Sequence, residues 1–158
     1  MALAATPLVL AACGGSPALL PDTGGKATHT AAASEAPGTI GERAAAIAVR
    51  QVGVPYRYGG RSTDGFDCSG LVNFAYARAG KIVPRTTLQL WRQLHPVDTG
   101  DLRVGDVLFF DIEGKVSHVG LYLGRGRFVH APSSGREVTV ALLDAPYYRH
   151  AFIRGGRP

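Results

Sequence analysis

Between residue 39 and about residue 94, apolar residues recur with the period of an α-helix. Apolar side chains recur there every three or four positions, which predicts helices over 40–52, 68–79 and 87–94. Thr39 and Glu42 have the spacing of a capping box, and Gly53 and Gly80 are typical of helix ends. The pattern therefore predicts three amphipathic helices that share one core.

After Pro96 the pattern changes to short apolar runs separated by turn residues. Strands are predicted over 106–110, 116–123, 127–130, 137–140 and 148–153. Residues 56–65 are aromatic and then glycine-rich, which predicts a shaped loop. Helices followed by antiparallel strands indicate an α+β fold, with the N-terminal helices packed on a small antiparallel sheet of about five strands.

The first 38 residues have a different composition from the rest of the chain. Residues 2–13 form an apolar run that is too short to span a bilayer, which is typical of an export signal. The run ends in Leu-Ala-Ala-Cys, with Cys13 followed by glycine, and this resembles the bacterial lipobox, whose cysteine carries a thioether lipid. No Lys or Arg precedes it, which departs from the usual charged start of a signal peptide, and Cys13 could instead be incidental.

Residues 14–38 are rich in Gly, Ser, Pro, Ala and Thr and show no apolar period, so we expect a flexible tether. The predicted organisation is a signal peptide over 1–13 that ends at Cys13, a tether over 14–38 and one domain over 39–158. A chain of 158 residues has room for one domain of ordinary size.

Composition excludes several classes of protein. The chain has 17 Lys and Arg against 12 Asp and Glu, a formal charge of +5, but the basic residues are scattered and predict no nucleic-acid partner. Two distant cysteines cannot make a disulfide-dense scaffold, and no Cys-x-x-Cys pair suggests a zinc site. We expect neither a cofactor nor a metal.

Cys68 occupies the predicted start of the second helix, directly after Asp67 as the N-cap residue. Unpaired backbone amides and the helix dipole at that position favour a thiolate, which is the nucleophilic form of cysteine. Cys68 is therefore a candidate nucleophile, although a buried apolar cysteine is the alternative interpretation.

Two histidines flank a predicted hairpin turn. If Gly124, Arg125 and Gly126 form a three-residue loop, Leu123 lies opposite Arg127. His118 and His130 then project from the same face of neighbouring strands, roughly 5 to 8 Å apart at Cβ, whereas a loop of even length would put them on opposite faces.

A cysteine nucleophile needs one imidazole as a base and a second group that holds this base in the correct tautomer. We assign His118 to the first role and His130 to the second. Packed strand histidines are the alternative for each, and a metal site of Cys68, His118 and His130 is the rival chemistry. His95 and His150 are interpreted as surface residues.

Six blocks of sequence resemble, in order, the NlpC-type cell-wall cysteine peptidases. The resemblance covers about residues 40–154, and the blocks are residues 53–60 (GVPYRYGG), 67–72 (DCSGLV), 84–87 (PRTT), 102–110 (LRVGDVLFF), 118–124 (HVGLYLG) and 128–131 (FVHA). The similarity is greatest to single-domain, lipid-anchored endopeptidases of Gram-negative envelopes.

The resemblance implies a papain-like fold that cleaves peptide bonds in the stem peptides or cross-links of peptidoglycan. It implies Cys68 as the nucleophile, His118 as the base and His130 as the group that orients this base. Tyr56, in the first block, would help to stabilise the oxyanion beside the Cys68 backbone amide.

The resemblance also implies residues that bind substrate. Asp67 and Ser69 flank the nucleophile and correspond to positions that bind amine or amide groups in relatives. Arg85 matches a block near the cleft, and a structural salt bridge is the alternative for it. Asp67 would also cap its helix.

Partners and location follow from the same resemblance. We expect peptidoglycan as the substrate, a lipid anchor at Cys13 as the membrane contact, and a monomer. Gly14 after the cysteine is not the aspartate associated with inner-membrane retention, which favours the periplasmic face of the outer membrane. Two alternatives stay open: a non-catalytic wall-binding lipoprotein, and a thiol amidase or acyltransferase of the same fold.

Overall fold

The computed structural model describes residues 38–112 and 114–158. The predicted signal peptide, the lipidation site at Cys13 and the tether up to residue 37 lie outside the described residues. Those three interpretations therefore stay predictions.

Four helices and eight strands make up the described chain, in the following bounds. The helices are α1 (Ile40–Val49), α2 (Cys68–Arg78), α3 (Thr87–Gln93) and α4 (Pro146–Ala151). The strands are β1 (Arg61–Ser62), β2 (Gly65–Phe66), β3 (His95–Val97), β4 (Val107–Asp111), β5 (Val116–Gly124), β6 (Arg127–His130), β7 (Thr139–Leu142) and β8 (Phe152–Arg157).

Local sequence accounts for the start of the first two helices. Thr39 Oγ1 accepts a hydrogen bond from the Glu42 amide, and Glu42 Oε2 accepts one from the Thr39 amide, so the predicted capping box is confirmed. Asp67 caps α2 by accepting a 2.6 Å hydrogen bond from the Gly70 amide. This cap fixes Cys68 as the first residue of α2.

The main sheet is antiparallel with six strands in the order β3-β8-β4-β5-β6-β7, and β1 and β2 form a separate two-stranded ribbon. The α+β class is confirmed, and the sheet has six strands where about five were expected. The additional strand, β3, has three residues and includes Pro96. Proline is tolerated there because β3 is an edge strand.

The predicted strand over 148–153 is wrong in most of its length. Pro146 begins helix α4, where a fixed φ and a missing N–H suit the first helical turn. Strand β8 begins only at Phe152 and continues through Gly155 and Gly156. A Cβ on Gly156 would lie 2.7 Å from Phe109 Cε2, so this glycine marks close packing of β8 rather than its end.

The turn between β5 and β6 differs from the prediction, yet the pairing is the same. The loop has two residues, Arg125 and Gly126, both with positive φ, as a type I′ turn requires. Leu123 is an extra residue in β5, because Tyr122 pairs with Phe128 and Gly124 pairs with Arg127. A two-residue loop alone would put the histidines on opposite faces, but the extra residue in β5 compensates for it. From Tyr122 and Phe128 onward the strands therefore pair as predicted, and both histidines lie on the same face.

The two faces of the sheet carry different apolar clusters. On one face, α1, α2 and α3 pack on residues such as Val119, Leu121 and Val129. On the other face, Phe110 and Phe128 pack with residues of α4, β5 and β8. The fold therefore provides one helix-covered face and one aromatic face.

Asp106 joins the start of β4 to the end of β8. Its buried carboxylate accepts hydrogen bonds of 2.9 and 2.7 Å from Arg157 and one of 2.8 Å from the Arg103 amide. A buried carboxylate with three donors is strongly stabilised, and loss of its charge leaves Arg157 without its counter-ion.

We expect the substitution Asp106→Asn to lower the free energy of unfolding by about 2 to 3 kcal/mol, measured by urea denaturation. Asp98→Asn is the matched control. Asp98 is exposed and precedes a short 3-10 helix (Thr99–Asp101) that its side chain does not cap, so this variant should change stability by less than about 0.5 kcal/mol. Equal stabilities for the two variants would contradict this role for Asp106.

Candidate active site

The sulfur of Cys68 lies between helix α3 and strand β5. Its Sγ is 3.8 Å from Thr87 Oγ1 and 3.9 Å from the carbonyl oxygen of Ser117. The residue is half-buried and packs against the cluster on the helix-covered face. The thiol is therefore placed at β5 by the first turn of α2.

Burial raises the pKa of the Cys68 thiol above its ordinary value, and this effect is larger than every opposing one. Hydrogen bonds from Thr87 and from the Val119 and Ser69 amides lower the pKa, while the charge of Asp67 raises it further. The predicted preference for a resting thiolate is wrong, because desolvation outweighs the helix start. Cys68 is a neutral thiol at neutral pH.

His118 and His130 are buried on the aromatic face and hydrogen-bonded to each other. His118 Nε2 is 2.8 Å from His130 Nδ1, and His130 Nε2 is 3.2 Å from the hydroxyl oxygen of Tyr148. Phe110 and Phe128 pack against the two imidazoles. Three side chains from β5, β6 and α4 thus form one hydrogen-bonded row.

Burial also determines the charge of these imidazoles. It lowers the pKa of His118 to about 4. It lowers the pKa of His130 to about 3, with smaller contributions from His118 and from the positive charge of Arg136. Both rings are neutral at pH 7, so each has one N–H donor and one acceptor nitrogen.

The sulfur of Cys68 lies beside the short stretch of β5 that contains His118. The sulfur contacts the Ser117 carbonyl and the Val119 amide, which are the backbone groups on either side of His118. Nε2 of His118 is engaged by His130, so Nδ1, the ring nitrogen nearer the backbone, is the one left for the thiol. The structure thus brings the sulfur to the backbone that carries the imidazole.

Tyr56 lies close to the nucleophile. Burial raises the pKa of Tyr56, and the charges of Cys68, Asp67 and Tyr58 add to this effect. Its backbone amide donates a 2.8 Å hydrogen bond to the Arg136 carbonyl, which ties the loop before α2 to the segment after β6. The phenol stays protonated and is available as a hydrogen-bond donor.

The three residues expected to bind substrate contact one another. The Arg85 guanidinium makes hydrogen bonds of 2.7 and 3.0 Å to the Asp67 carboxylate and one of 3.0 Å to Ser69 Oγ. Arg85 also donates to the Gly60 carbonyl. The structural salt bridge that was the alternative for Arg85 is therefore present, and it holds the cap of α2 in place. Substrate binding by these residues stays a prediction.

An open cleft of about 520 Å³ adjoins the histidines on the aromatic face. Its lining residues are Ile112, His118, His130, Pro132, Ser133, Arg136, Tyr147 and Tyr148. Arg136 carries the positive charge of this cleft. His95 and His150 are exposed and lie outside it, as predicted.

Sequence reasoning missed Tyr148 because the pattern was interpreted as a strand there. The available signal was Ala145-Pro146, which is typical of a helix start and would have put Tyr148 on a short helix. Within residues 38–112 and 114–158, no group of three or more His, Cys, Asp or Glu side chains has an arrangement that could hold a metal ion. None of the helices in these ranges has the length and apolar character needed to cross a membrane.

The lowered pKa values predict an acid-sensitive fold. Between about pH 6.5 and pH 4 the unfolded chain binds protons that the two buried imidazoles do not bind, so the free energy of unfolding should fall as the pH falls through this window. Chemical denaturation at pH 7 and at pH 4.5 measures this difference.

His130→Asn should reduce the difference in stability between the two pH values, because one of the two titrating groups is removed. His150→Asn is the control, since His150 is exposed on α4, and it should leave the difference unchanged. A pH dependence that is the same in His130→Asn as in the unmodified chain would contradict the assignment.

Comparison with known proteins adds independent information. A profile described as the NlpC/P60 family matches residues 53–157. The chain is 38% identical over 115 residues to the murein DD-endopeptidase MepH of Escherichia coli (strain K12), covering 69% of this chain and 42% of that protein. It is 39% identical over 106 residues to the gamma-DL-glutamyl hydrolase of Bacillus subtilis (strain 168), covering 65% and 25% respectively.

Solved structures give the same result. An NlpC/P60 family protein from Bacillus cereus has a TM-score of 0.71 at 31% identity, over 77% of this chain and 41% of that one. The peptidoglycan hydrolase RipB from Mycobacterium tuberculosis has a TM-score of 0.64 at 31% identity, over 75% and 64% respectively.

The chain spans less than half the length of the two relatives named above. The matched region nevertheless contains α2, the β5–β6 hairpin and α4, which together carry the candidate site. The family match, the sequence identities and the shared fold agree, and this chain belongs to the NlpC/P60 family.

Proposed function

We propose that this chain is a cysteine endopeptidase that hydrolyses peptide bonds in the stem peptides or cross-links of peptidoglycan. Cys68 is the nucleophile, His118 the base and His130 the group that orients it. One observation carries the proposal: the sulfur of Cys68 contacts the backbone on both sides of His118, while the far nitrogen of that ring is held by His130. Relatives named as murein endopeptidase and peptidoglycan hydrolase support the choice of substrate.

The proposed reaction begins from a neutral thiol and a neutral imidazole. As Sγ attacks the peptide carbonyl carbon, the thiol proton passes to His118 Nδ1 and the carbonyl oxygen becomes an oxyanion. The Cys68 backbone amide and the Tyr56 hydroxyl donate hydrogen bonds to this oxyanion. Proton transfer accompanies attack, because burial disfavours a resting thiolate and imidazolium.

Collapse of the tetrahedral intermediate breaks the C–N bond, and His118 gives its proton to the leaving amine. The acyl group remains on Cys68 as a thioester. Water then attacks the thioester while His118 takes its proton, the C–S bond breaks, and the proton returns to the sulfur. The sum is hydrolysis of one peptide bond with the enzyme regenerated.

Substrate contacts are proposed on both sides of Cys68. Asp67 and Ser69 lie next to the nucleophile, and their polar groups are partly engaged by Arg85. We assign Arg85 the task of holding these two side chains in position for an amine or amide of the substrate. In the proposed setting, a lipid on Cys13 keeps the monomeric enzyme at the periplasmic face of the outer membrane.

The experiment is digestion of purified sacculi, with the released muropeptides identified by mass. Cys68→Ser and His118→Asn should each reduce release to background, because each removes one half of the thiol–imidazole pair. The matched control is His95→Asn, since His95 is exposed on the edge strand β3 and outside the cleft, and release should be unchanged. The product masses identify the bond that is cut.

Three outcomes are informative here. Unchanged release by Cys68→Ser overturns the thiol mechanism. Binding to sacculi without release by any folded variant, including the unmodified chain, favours the non-catalytic wall-binding protein. Turnover of acyl donors or amides in place of sacculi favours the amidase or acyltransferase.

A further inference from the structure

The hydroxyl of Tyr148 ends the row of hydrogen bonds that begins at His118. Its oxygen is 3.2 Å from His130 Nε2, on the far side of the imidazole from His118. Aromatic packing holds the phenol in this place, since its ring is edge-on to His130 and also contacts Phe128 and Phe110. Tyr148 is thus fixed in orientation by α4 and the aromatic face.

Only two proton arrangements satisfy both hydrogen bonds of this row. In the first, His118 Nε2–H donates to His130 Nδ1, and His130 Nε2–H donates to the Tyr148 oxygen. In the second, all donors are reversed: Tyr148 donates to His130 Nε2, and His130 Nδ1–H donates to His118 Nε2. A neutral imidazole has one proton, so the direction at Tyr148 determines the tautomer of both rings.

The two arrangements differ in what they leave at His118 Nδ1. In the first, Nδ1 has a free lone pair and can accept the proton of the thiol. In the second, Nδ1 carries the only proton of the ring and cannot act as a base. The direction of the Tyr148 hydrogen bond is therefore linked to the activity of a residue two hydrogen bonds away.

We propose that Tyr148 is a positioning residue whose hydroxyl oxygen accepts a hydrogen bond from His130 Nε2–H and thereby fixes His118 in the tautomer with a free Nδ1. This inference rests on the proposed role of His118 as the base. It adds to the three-residue assignment a fourth side chain, contributed by α4.

The surroundings of Tyr148 support the accepting role. The residue is half-buried and lines the open cleft, so its O–H can donate to water there while its oxygen accepts from His130. Burial raises the pKa of Tyr148, although the charge of Arg136 in the same cleft opposes this, and the group is a neutral phenol. Tyr147, on the same helix, packs against the outer side of the ring.

The test in the unmodified chain is nitrogen-15 NMR of the imidazole side chains at neutral pH, which distinguishes protonated from unprotonated ring nitrogens. We expect protonated Nε2 and unprotonated Nδ1 on both His118 and His130. A protonated Nδ1 on His118 overturns the proposal. This measurement needs no substrate and no variant, so it is independent of whether peptidoglycan is cleaved.

The variant Tyr148→Phe removes the hydroxyl and keeps the ring that packs on the aromatic face. We expect mixed tautomers of His118 and His130, and a kcat on muropeptides lowered by about tenfold, the scale of one lost neutral hydrogen bond, with KM unchanged. Retention of the unmodified tautomers together with an unchanged kcat overturns the proposal.

Tyr122→Phe is the matched control for this variant. Tyr122 packs on the same face, but its hydroxyl accepts a hydrogen bond from the Gly126 amide at the opposite end of β5. We expect unchanged tautomers and kcat. Equal losses in both variants would mean that the loss does not come from the contact between Tyr148 and His130, which overturns the specific role of Tyr148.

The two proposals fail in different ways. If sacculi are not cleaved but the NMR spectrum shows the expected tautomers, the proposed function fails and the role of Tyr148 in orienting the histidines stands. If sacculi are cleaved but Tyr148→Phe behaves like the unmodified chain, the enzyme assignment stands and the role of Tyr148 fails.

Discussion

The hydrogen bond between His118 Nε2 and His130 Nδ1 is the contact on which the candidate site depends. It requires that two side chains on neighbouring strands project from one face and that nothing separates them. Gly120 lies between them on that face, because it is opposite His130 in the register set by Leu121 and Val129. A Cβ at Gly120 would lie 2.6 Å from Phe128 Cδ2 and 3.3 Å from His130 Cβ, so a side chain there would clash with Phe128 and crowd the second imidazole.

The two halves of the proposed chemistry meet at strand β5, in different surroundings. Cys68 packs with the helices on one face of the sheet, and the imidazoles lie among aromatic rings on the other. Both environments bury most of the group that they hold, and this burial disfavours its charged form. The resting thiol and both imidazoles are therefore uncharged, and the arrangement favours a reaction in which the proton moves as the sulfur attacks.

Much of this architecture is predictable because local patterns determine it. The start of α2 follows from Asp67 as the cap, and the capping box of α1 follows from Thr39 and Glu42. The pairing of the two histidines was predicted from a three-residue loop. The structure reaches the same pairing with a two-residue loop and one extra residue at Leu123, which no periodic pattern reveals.

The remaining features depend on contacts between distant segments. Gly155 and Gly156 lie beyond the predicted strand over 148–153, yet they belong to β8, where Leu102 and Phe109 occupy the space that side chains would need. Tyr148 belongs to the site only because α4 places it on the aromatic face beside His130. Desolvation of Cys68 is likewise a tertiary effect, and it reverses the pKa shift that the helix start alone predicts.

The most direct test of the central claim is the rate at which iodoacetamide alkylates Cys68 across the pH range, in the unmodified chain and in His118→Asn. Peptide mass analysis reads the modification at Cys68 separately from that at Cys13. If His118 accepts the thiol proton, alkylation near neutral pH should be clearly faster in the unmodified chain than in the variant, whose buried thiol is left without a base. Identical rates and pH curves for the two proteins would contradict the pairing of this cysteine with this histidine.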